Sequence, residues 1–576
     1  MFLQRLGEYA TRLDRPPQYY RRVPVRYIIE LDAGGTPLSA EPVDTADSAN
    51  RATRRGQPLL MPQVQRANAV RPLLFADNGA YTLGLPREGA NPDREAQCHE
   101  AYLDLLRGCA AHTAEPDVMA VLCFLENDPL NHLRLPDDFD RSATVSFRVD
   151  GRLPADLPAV REYWARVNDP GADDGATVMD CLVCGERGPV LRRLKGKIKG
   201  IPGGQMSGTA IISANESAYE SYGLDASLIS PICARCAEDM TVALNGLLAD
   251  ESSRLIVGNA AFVFWTREPQ EWSFADLMSR PETDDVRRIL ASLYRPAGGH
   301  VDDNRFYAAL LSASGGRAVV RDWIDTSLPQ AQRNLARWFA GQRIVSAWGE
   351  EARPLGLYAL AAAGERELRD VPPPTLRALV RCALLGQPLP PGVLYRAVQR
   401  TRADQGVSRP QAALMKLALV SRRWTAGHSS PDQEDTMTQL DNTNRTPPYL
   451  CGRLLAVLER AQALAIPGAN ATLVDRFYGT ASTAPATVFG SLMQNAQAHL
   501  GKLRRDRPGS YHRLQGELED ILADLPAFPR TLSLDEQALF ALGYYHQRAH
   551  SRAMARAARE AAAGPGKAEV EEEPDL

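Results

Sequence analysis

The pattern of apolar and polar positions marks three short windows in the first half of the chain as strands. VPVRYIIEL (23 to 31) is rich in β-branched residues and stops at the turn residues 32 to 35, as one arm of a hairpin would. ATVSFRV (143 to 149) alternates and ends on the turn pair Asp150 and Gly151, and AFVFWT (261 to 266) reads as a third strand. Between these windows the spacing turns helical, in EAQCHEAYLDLLRGCAAH (95 to 112) and around 155 to 168 and 235 to 249. Beyond about residue 330 the strand signal fades, and AQRNLARWFAGQ, TLRALVRCALLG and RPQAALMKLALVSRRW follow one another as amphipathic helices. After a polar, proline-bearing stretch come four more helical blocks, the last opened by Ser533 and Glu536 in capping-box spacing. The pattern shows no repeat of fixed period.

These elements describe an α+β, multidomain chain. The expected parts are a mixed α/β N-terminal domain (1–180), a cysteine-pair, zinc-like basic insertion (181–240) and a continuation of the α/β body (241–330). A helical region (331–424), a linker (425–448), a C-terminal helical bundle (449–562) and an acidic tail (563–576) complete it. A length of 576 residues suits roughly two to four domains, and 44% apolar with 24% charged residues is ordinary for globular chains. The formal net charge of -4 changes the picture more, because any affinity for nucleic acid must then come from local patches. No apolar run approaches the roughly 18 residues that cross a bilayer. Arg5 and Glu8 stand where a secretory signal would be apolar, so a cytoplasmic chain is expected.

Several catalytic classes lack their signatures. Gly196-Lys197, Gly501-Lys502 and Gly566-Lys567 are followed by the wrong residues for a phosphate-binding loop and lack its upstream glycine. A restriction-type nuclease core needs an acid two residues before a lysine. Those positions hold Arg193, Lys195, Lys197, Leu414, Leu500 and Pro565. No histidine precedes an aspartate, and His546 with His550, at i and i+4, has no glutamate base in the H-E-x-x-H pattern, so the pair reads as polar residues on a helix surface. The chain is therefore expected not to be an enzyme.

Nine cysteines divide into five scattered singly, which read as buried small hydrophobes, and two C-x-x-C pairs, Cys181 with Cys184 and Cys233 with Cys236. In a reducing compartment such pairs suggest metal before disulfide, and four thiolates would make a tetrahedral, structural zinc site. Zinc at both ends would turn residues 185 to 232 into a loop projected from a rigid base. That loop is unusual: Lys195, Lys197 and Lys199 are three of only six lysines in the chain. From 181 to 210 six basic residues against the single acid Glu186 leave a net +5, followed by the glycine-rich GGQMSG. The density favours phosphate contact, and glycine lets the backbone approach a strand closely. A second acid-free stretch, 51 to 71, carries Arg51, Arg54, Arg55, Arg66 and Arg71 among Gln57, Gln63, Gln65 and Asn68, a mixture that suits phosphate and base-edge contacts.

CLVCGERGPVLRRLKGKIKGIPGGQMSGTAIISANESAYESYG, with FLENDP, ALNGLL and RFYAALLSASGGRAVVRDW in that order, resembles the large subunit of the type I-C CRISPR surveillance complex, Cascade. The resemblance implies a non-catalytic subunit of a crRNA-guided antiviral assembly, beside backbone and handle-binding subunits. Such a subunit recognises the protospacer-adjacent motif in duplex DNA, promotes R-loop formation, stabilises the displaced strand and recruits a helicase-nuclease. Carried over residue by residue, it makes Lys195, Lys197, Lys199, Gln205 and Ser207 the first candidates for DNA contact, then Asn215, Arg51, Arg54, Arg55, Arg66, Asn68 and Arg71. It also implies that the C-terminal helices can be made separately as small subunits, with Met437 a start and Arg453, Arg460, Lys502, Arg504 and Arg505 touching the displaced strand. The two cysteine pairs depart from the family pattern, which makes zinc a local brace. The alternatives from the residues alone are a zinc-stabilised RNA-binding protein and, further off, a metal-dependent nuclease.

Overall fold

The computed structural model describes all residues except 1, 14–15, 48, 51–52, 65–69, 87–88, 169–176, 195, 271, 293–303, 425–436, 469 and 564–576. The fold is α+β, as expected, and its chain gathers into two compact units. One comprises residues 3–196 and 212–243, the other residues 2, 197–211 and 244–576.

In the first unit a four-stranded sheet runs in the order Val43–Asp44, Tyr27–Leu31, Thr144–Val149, Ala76–Asn78. The central pair is parallel, with Ile29 opposite Phe147 and Leu31 opposite Val149, and both outer strands are antiparallel. A central parallel strand is covered on both faces, which is why YIIEL is an apolar run and not an alternation. Helices Pro92–Thr113, Pro116–Glu126 and Pro158–Val167 each begin with proline, whose missing N–H costs nothing in a first turn. They bring Tyr102, Leu106, Val121, Phe124 and Trp164 into one core with Ile29 and Phe147. The continuous arm expected over 23 to 31 breaks at Arg26. Tyr20–Val25 leaves the sheet and pairs instead with Gln57–Pro62 in a two-stranded ribbon. Pro24 faces Pro58 across that ribbon, and two residues without an N–H keep it from lying inside a wider sheet.

The second unit holds an antiparallel meander in the order Arg254–Val257, Ala260–Thr266, Arg305–Ser314, Arg317–Ser327. The long hairpin 305 to 327 goes beyond the strand expected at 261 to 266. Phe262, Phe264, Phe306, Ala308 and Leu310 alternate onto one face and pack with Leu335, Trp338 and Phe339 of helix Leu328–Gln342. Asp322 of the hairpin is 8% exposed and accepts Arg381 Nη1 at 2.6 Å, tying strand to helix Pro373–Leu385. Pro391–Asp404 and Arg409–Trp424 extend the helical layer.

The closing bundle consists of Pro447–Ala465, Leu473–Ala481, Pro485–Asp506, Pro508–Ala523 and Leu534–Ala563. The capping box at the last helix forms as expected: Ser533 N donates to Glu536 Oε2 at 2.7 Å and Glu536 N to Ser533 Oγ at 3.4 Å. This helix is shared between two cores. Ala538, Ala541, Leu542, Tyr545 and Ala549 pack with the helical layer, and Phe540 and Tyr544 with the rest of the bundle.

The shared helix also corrects the reading of His546, which is fully buried with Nδ1 3.0 Å from Tyr449 Oη, while His550 is exposed. Burial, helped by the nearby Lys416 charge, pushes the His546 imidazole down to about 3. The folded chain thus keeps it neutral while the unfolded chain protonates it below about pH 6.5. Fewer bound protons in the folded state mean that stability falls with pH through this window, by about 2 kcal/mol between pH 6.5 and 5. Denaturant unfolding at stepped pH should show that slope in the wild type and its loss in His546→Gln; equal slopes would assign the acid sensitivity elsewhere.

Candidate metal centre and basic loop

The first cysteine pair sits at the end of a small hairpin. Val178–Asp180 pairs with Arg187–Pro189, and Cys181 N donates to Glu186 O at 2.9 Å while Gly185 N donates to Cys181 O at 2.8 Å, closing the turn between them. The second pair occupies the start of helix Ala234–Ala249, where Ala237 N donates to Cys233 O. Two backbone bonds hold the pieces together, Leu182 N to Pro231 O and Leu191 N to Ile232 O, both 2.9 Å. Cys233 N also points at Cys181 Sγ, 3.4 Å away.

The sulfur atoms of Cys181, Cys184, Cys233 and Cys236 consequently lie within 4.8 Å of one another. Thiolates at about 2.3 Å from a tetrahedral ion stand roughly 3.8 Å apart, so a small inward movement would place all four around one metal. Cys181 and Cys236 are buried, Cys233 is partly buried and Cys184 is exposed. Burial opposes ionisation of Cys181, but the amides of Cys184, Cys233 and Val183 outweigh it and bring the thiol down to about 7. Burial pushes Cys233 and Cys236 up. A cation among them would reverse that, and the donor set fits a metal ion held for structure.

The lysine loop has anchors of its own. Residues 197–211 pack with residues 244 onward, not as a free projection from the cysteines. Ile198 is buried and exchanges both backbone bonds with Thr209 at 2.8 Å. Asn245 completes the hold: its Oδ1 accepts Lys199 N at 2.8 Å and its Nδ2 donates to Lys197 O at 3.0 Å. Ala210 N donates to Gly316 O and Ala210 O accepts Ala318 N, both 2.8 Å, so the loop adds to the tip of the long hairpin. Alternation then sends Lys197 and Lys199 outward on either side of Ile198, both exposed and without an ion pair among the described residues. Two successive turns, Gly204 N to Ile201 O and Gly208 N to Gln205 O, present Gln205, Met206 and Ser207 to solvent. Gly208 has φ +95°, and a Cβ there would fall 2.8 Å from Lys197 Cβ, so the second turn requires glycine.

Other candidates are placed unevenly. Lys195, Arg51, Arg66 and Asn68 lie outside the described residues. Arg54 and Arg55 are exposed, Asn215 is exposed, and Arg71 donates to Asn168 Oδ1 at 2.8 Å. Within the net +5 of residues 181–210, Arg187 and Arg192 are already paired with Asp180 and Asp225, which leaves Arg193, Lys197 and Lys199 as the cations without an ion pair among the described residues. Lys502, Arg504 and Arg505 are exposed at the end of helix Pro485–Asp506, but Arg453 is 7% exposed, donating to Gln547 Oε1 and Asn442 Oδ1. Arg460 stands 3.9 Å from Glu517. Both therefore brace the bundle from within. Met437 packs against the helical-layer core, and Thr438 beside it accepts Lys416 Nζ at 2.8 Å.

Sequence reading missed Asn245, whose side chain fixes the lysine loop; ALNGLL marks a helix, but nothing in it distinguishes a loop-binding amide from any polar helix residue. It also missed Arg21 and Arg22, exposed on the ribbon. No helix among the described residues is long and apolar enough to cross a membrane. No curated protein matches the chain. A family described as CRISPR-associated protein (Cas_Csd1) matches it over residues 3–552.

Proposed function

The chain belongs to this CRISPR-associated family, and from that premise we propose that it is the non-catalytic large subunit of a type I-C Cascade-type surveillance complex, acting in the cytoplasm. It joins a crRNA-loaded assembly of backbone and handle-binding subunits, reads the protospacer-adjacent motif in duplex DNA and promotes R-loop formation. It then stabilises the displaced strand and recruits the helicase-nuclease, and its C-terminal helices also serve as separately made small subunits. The four cysteines hold zinc as a local brace.

The observation that carries this reading is the pinned loop 197 to 208. Lys197 and Lys199, without an ion pair among the described residues, stand on one edge of it, and Gln205 and Ser207 at its apex, over a backbone fixed by Asn245 and the hairpin tip. Lysines supply phosphate contacts that set register, and a glycine-flanked amide is small enough to meet a base edge in a groove. Rigid presentation matters because a loop ordered only on binding would lose affinity to its own entropy.

The test is binding of the reconstituted, guide-loaded complex to matched target duplexes randomised in the flanking bases. Wild type should prefer a short flank motif. Lys195/Lys197/Lys199→Ala should weaken binding to every flank alike and reduce the slope of log affinity against log salt by about three. Gln205→Ala should instead compress the gap between correct and wrong flanks, by about tenfold. A wild type without flank preference would move motif reading to another subunit.

A further inference from the structure

We infer that the C-terminal bundle contains a base-binding cleft for single-stranded DNA, a reading that rests on the displaced-strand role proposed above. A cleft of about 390 Å³ opens between helices Pro447–Ala465, Leu473–Ala481 and Pro485–Asp506. That volume is within the range of clefts that take small planar ligands, about 300–1,000 Å³. Phe477, Leu492 and Ala496 supply apolar lining, and Arg476, Asn495 and His499 stand with Gln462 and Thr472 among its polar members.

Gln462 and Thr472 hold the walls and leave the other polar members to face the cleft. Gln462 Oε1 accepts Leu473 N at 2.7 Å, and Thr472 N donates to Asp475 Oδ2 at 2.6 Å in a capping box. Arg476 and Asn495 are exposed, and Arg476 has no ion pair among the described residues. An aromatic ring, a carboxamide offering both donor and acceptor, and a cation are what an unstacked base with its phosphate requires.

The surroundings select a strand over a lone nucleotide. On helix Pro485–Asp506 the three-residue steps from His499 to Lys502 and from Lys502 to Arg505 join neighbouring positions in a row that winds away from the cleft, and Lys502 and Arg505 are exposed and unpaired among the described residues. Arg507 and Arg513 beyond the helix end are exposed too, also without an ion pair among the described residues. A free nucleotide would use cations only inside the cleft. A line of them leading away suits successive phosphates of a chain that places one base in it.

The full-length chain should be titrated with labelled oligothymidine and with the same backbone made of abasic residues. Asn495→Trp fills the cleft from an exposed helix position; it should weaken oligothymidine binding about tenfold and leave the abasic strand unchanged. Asn495→Ala, which removes only the amide, should lose about threefold on oligothymidine alone and serves if the larger side chain disturbs folding. Lys502→Ala should weaken both strands equally. The inference is overturned if the Asn495 variants bind oligothymidine as wild type does, if they weaken both strands alike, or if thymidine monophosphate competes as well as the strand. Flank preference on duplexes depends on the lysine loop, so a failure here leaves the motif-reading proposal standing.

Discussion

Gly452→Ala should destabilise the C-terminal half by about 3 kcal/mol or more, and Gly543→Ala by a similar amount. The two glycines lie where helix Pro447–Ala465 crosses helix Leu534–Ala563. A Cβ on Gly452 would fall 2.0 Å from Phe540 O and 2.8 Å from Tyr544 N, and one on Gly543 would fall 2.2 Å from Tyr449 O. These are backbone atoms, so no side chain can rotate away; the helices must separate. Separation would pull Phe540 and Tyr544 from one core and Tyr449 from the other, since the last helix serves both. Gly501→Ala is the internal control. It is an exposed helical position with nothing within 4 Å of a new Cβ, so helix propensity alone should stabilise by about 0.5–1 kcal/mol. Denaturant unfolding of the three variants decides. A Gly452→Ala midpoint equal to wild type would mean that the two helices do not touch as described, and would remove the rigid wall on which the base-binding cleft depends.

Sequence periodicity found the helices because their apolar stripes are long, and the capping box of the last one was readable from Ser533 and Glu536 alone. It failed where burial is two-sided. FYAALLSA shows little alternation because Tyr307, Ala309 and Leu311 are buried as fully as Phe306, Ala308 and Leu310, so the long hairpin was recognisable only as part of a family resemblance. The same cause hid His546. Gln547 and Arg453 are likewise polar side chains placed inside, and one sequence cannot distinguish a satisfied internal polar network from an exposed face. The cysteine pairs were legible because ligand spacing is local within each pair; that Cys181 and Cys233 would meet, 52 positions apart, depended on the backbone bonds from Leu182 and Leu191. The lysine loop was legible as charge and not as structure: its anchors, Asn245 and the tip at Gly316, lie 46 and more residues downstream of Lys199.

Removing the zinc proposed for the four cysteines should open the cysteine hairpin and leave the lysine loop folded. Apart from the thiolates, the hairpin is held by its short ladder and turn bonds, the exposed Arg187–Asp180 pair, two bonds to residues 231 and 232, and Cys181 Sγ facing Cys233 N. Structural zinc sites of four thiolates contribute apparent binding energies of about 10–16 kcal/mol in small peptides, far above what such a hairpin supplies by itself. Cys181→Ser/Cys184→Ser, or a strong chelator, should therefore erase hydrogen-exchange protection at the amides of Cys181, Leu182 and Leu191. The amides of Ile198, Thr209 and Ala210 should keep theirs, because their partners lie in the loop itself and at Gly316. Metal analysis of the untreated chain should give one zinc per chain, with its absence excluding the brace. Duplex affinity should then fall by less than in the lysine variants, since Lys197 and Lys199 keep their backbone bonds to Asn245 without the metal. If protection at Ile198 and Thr209 disappears with the zinc, the cysteines are the foundation of the lysine loop, and Asn245 and the hairpin tip only follow.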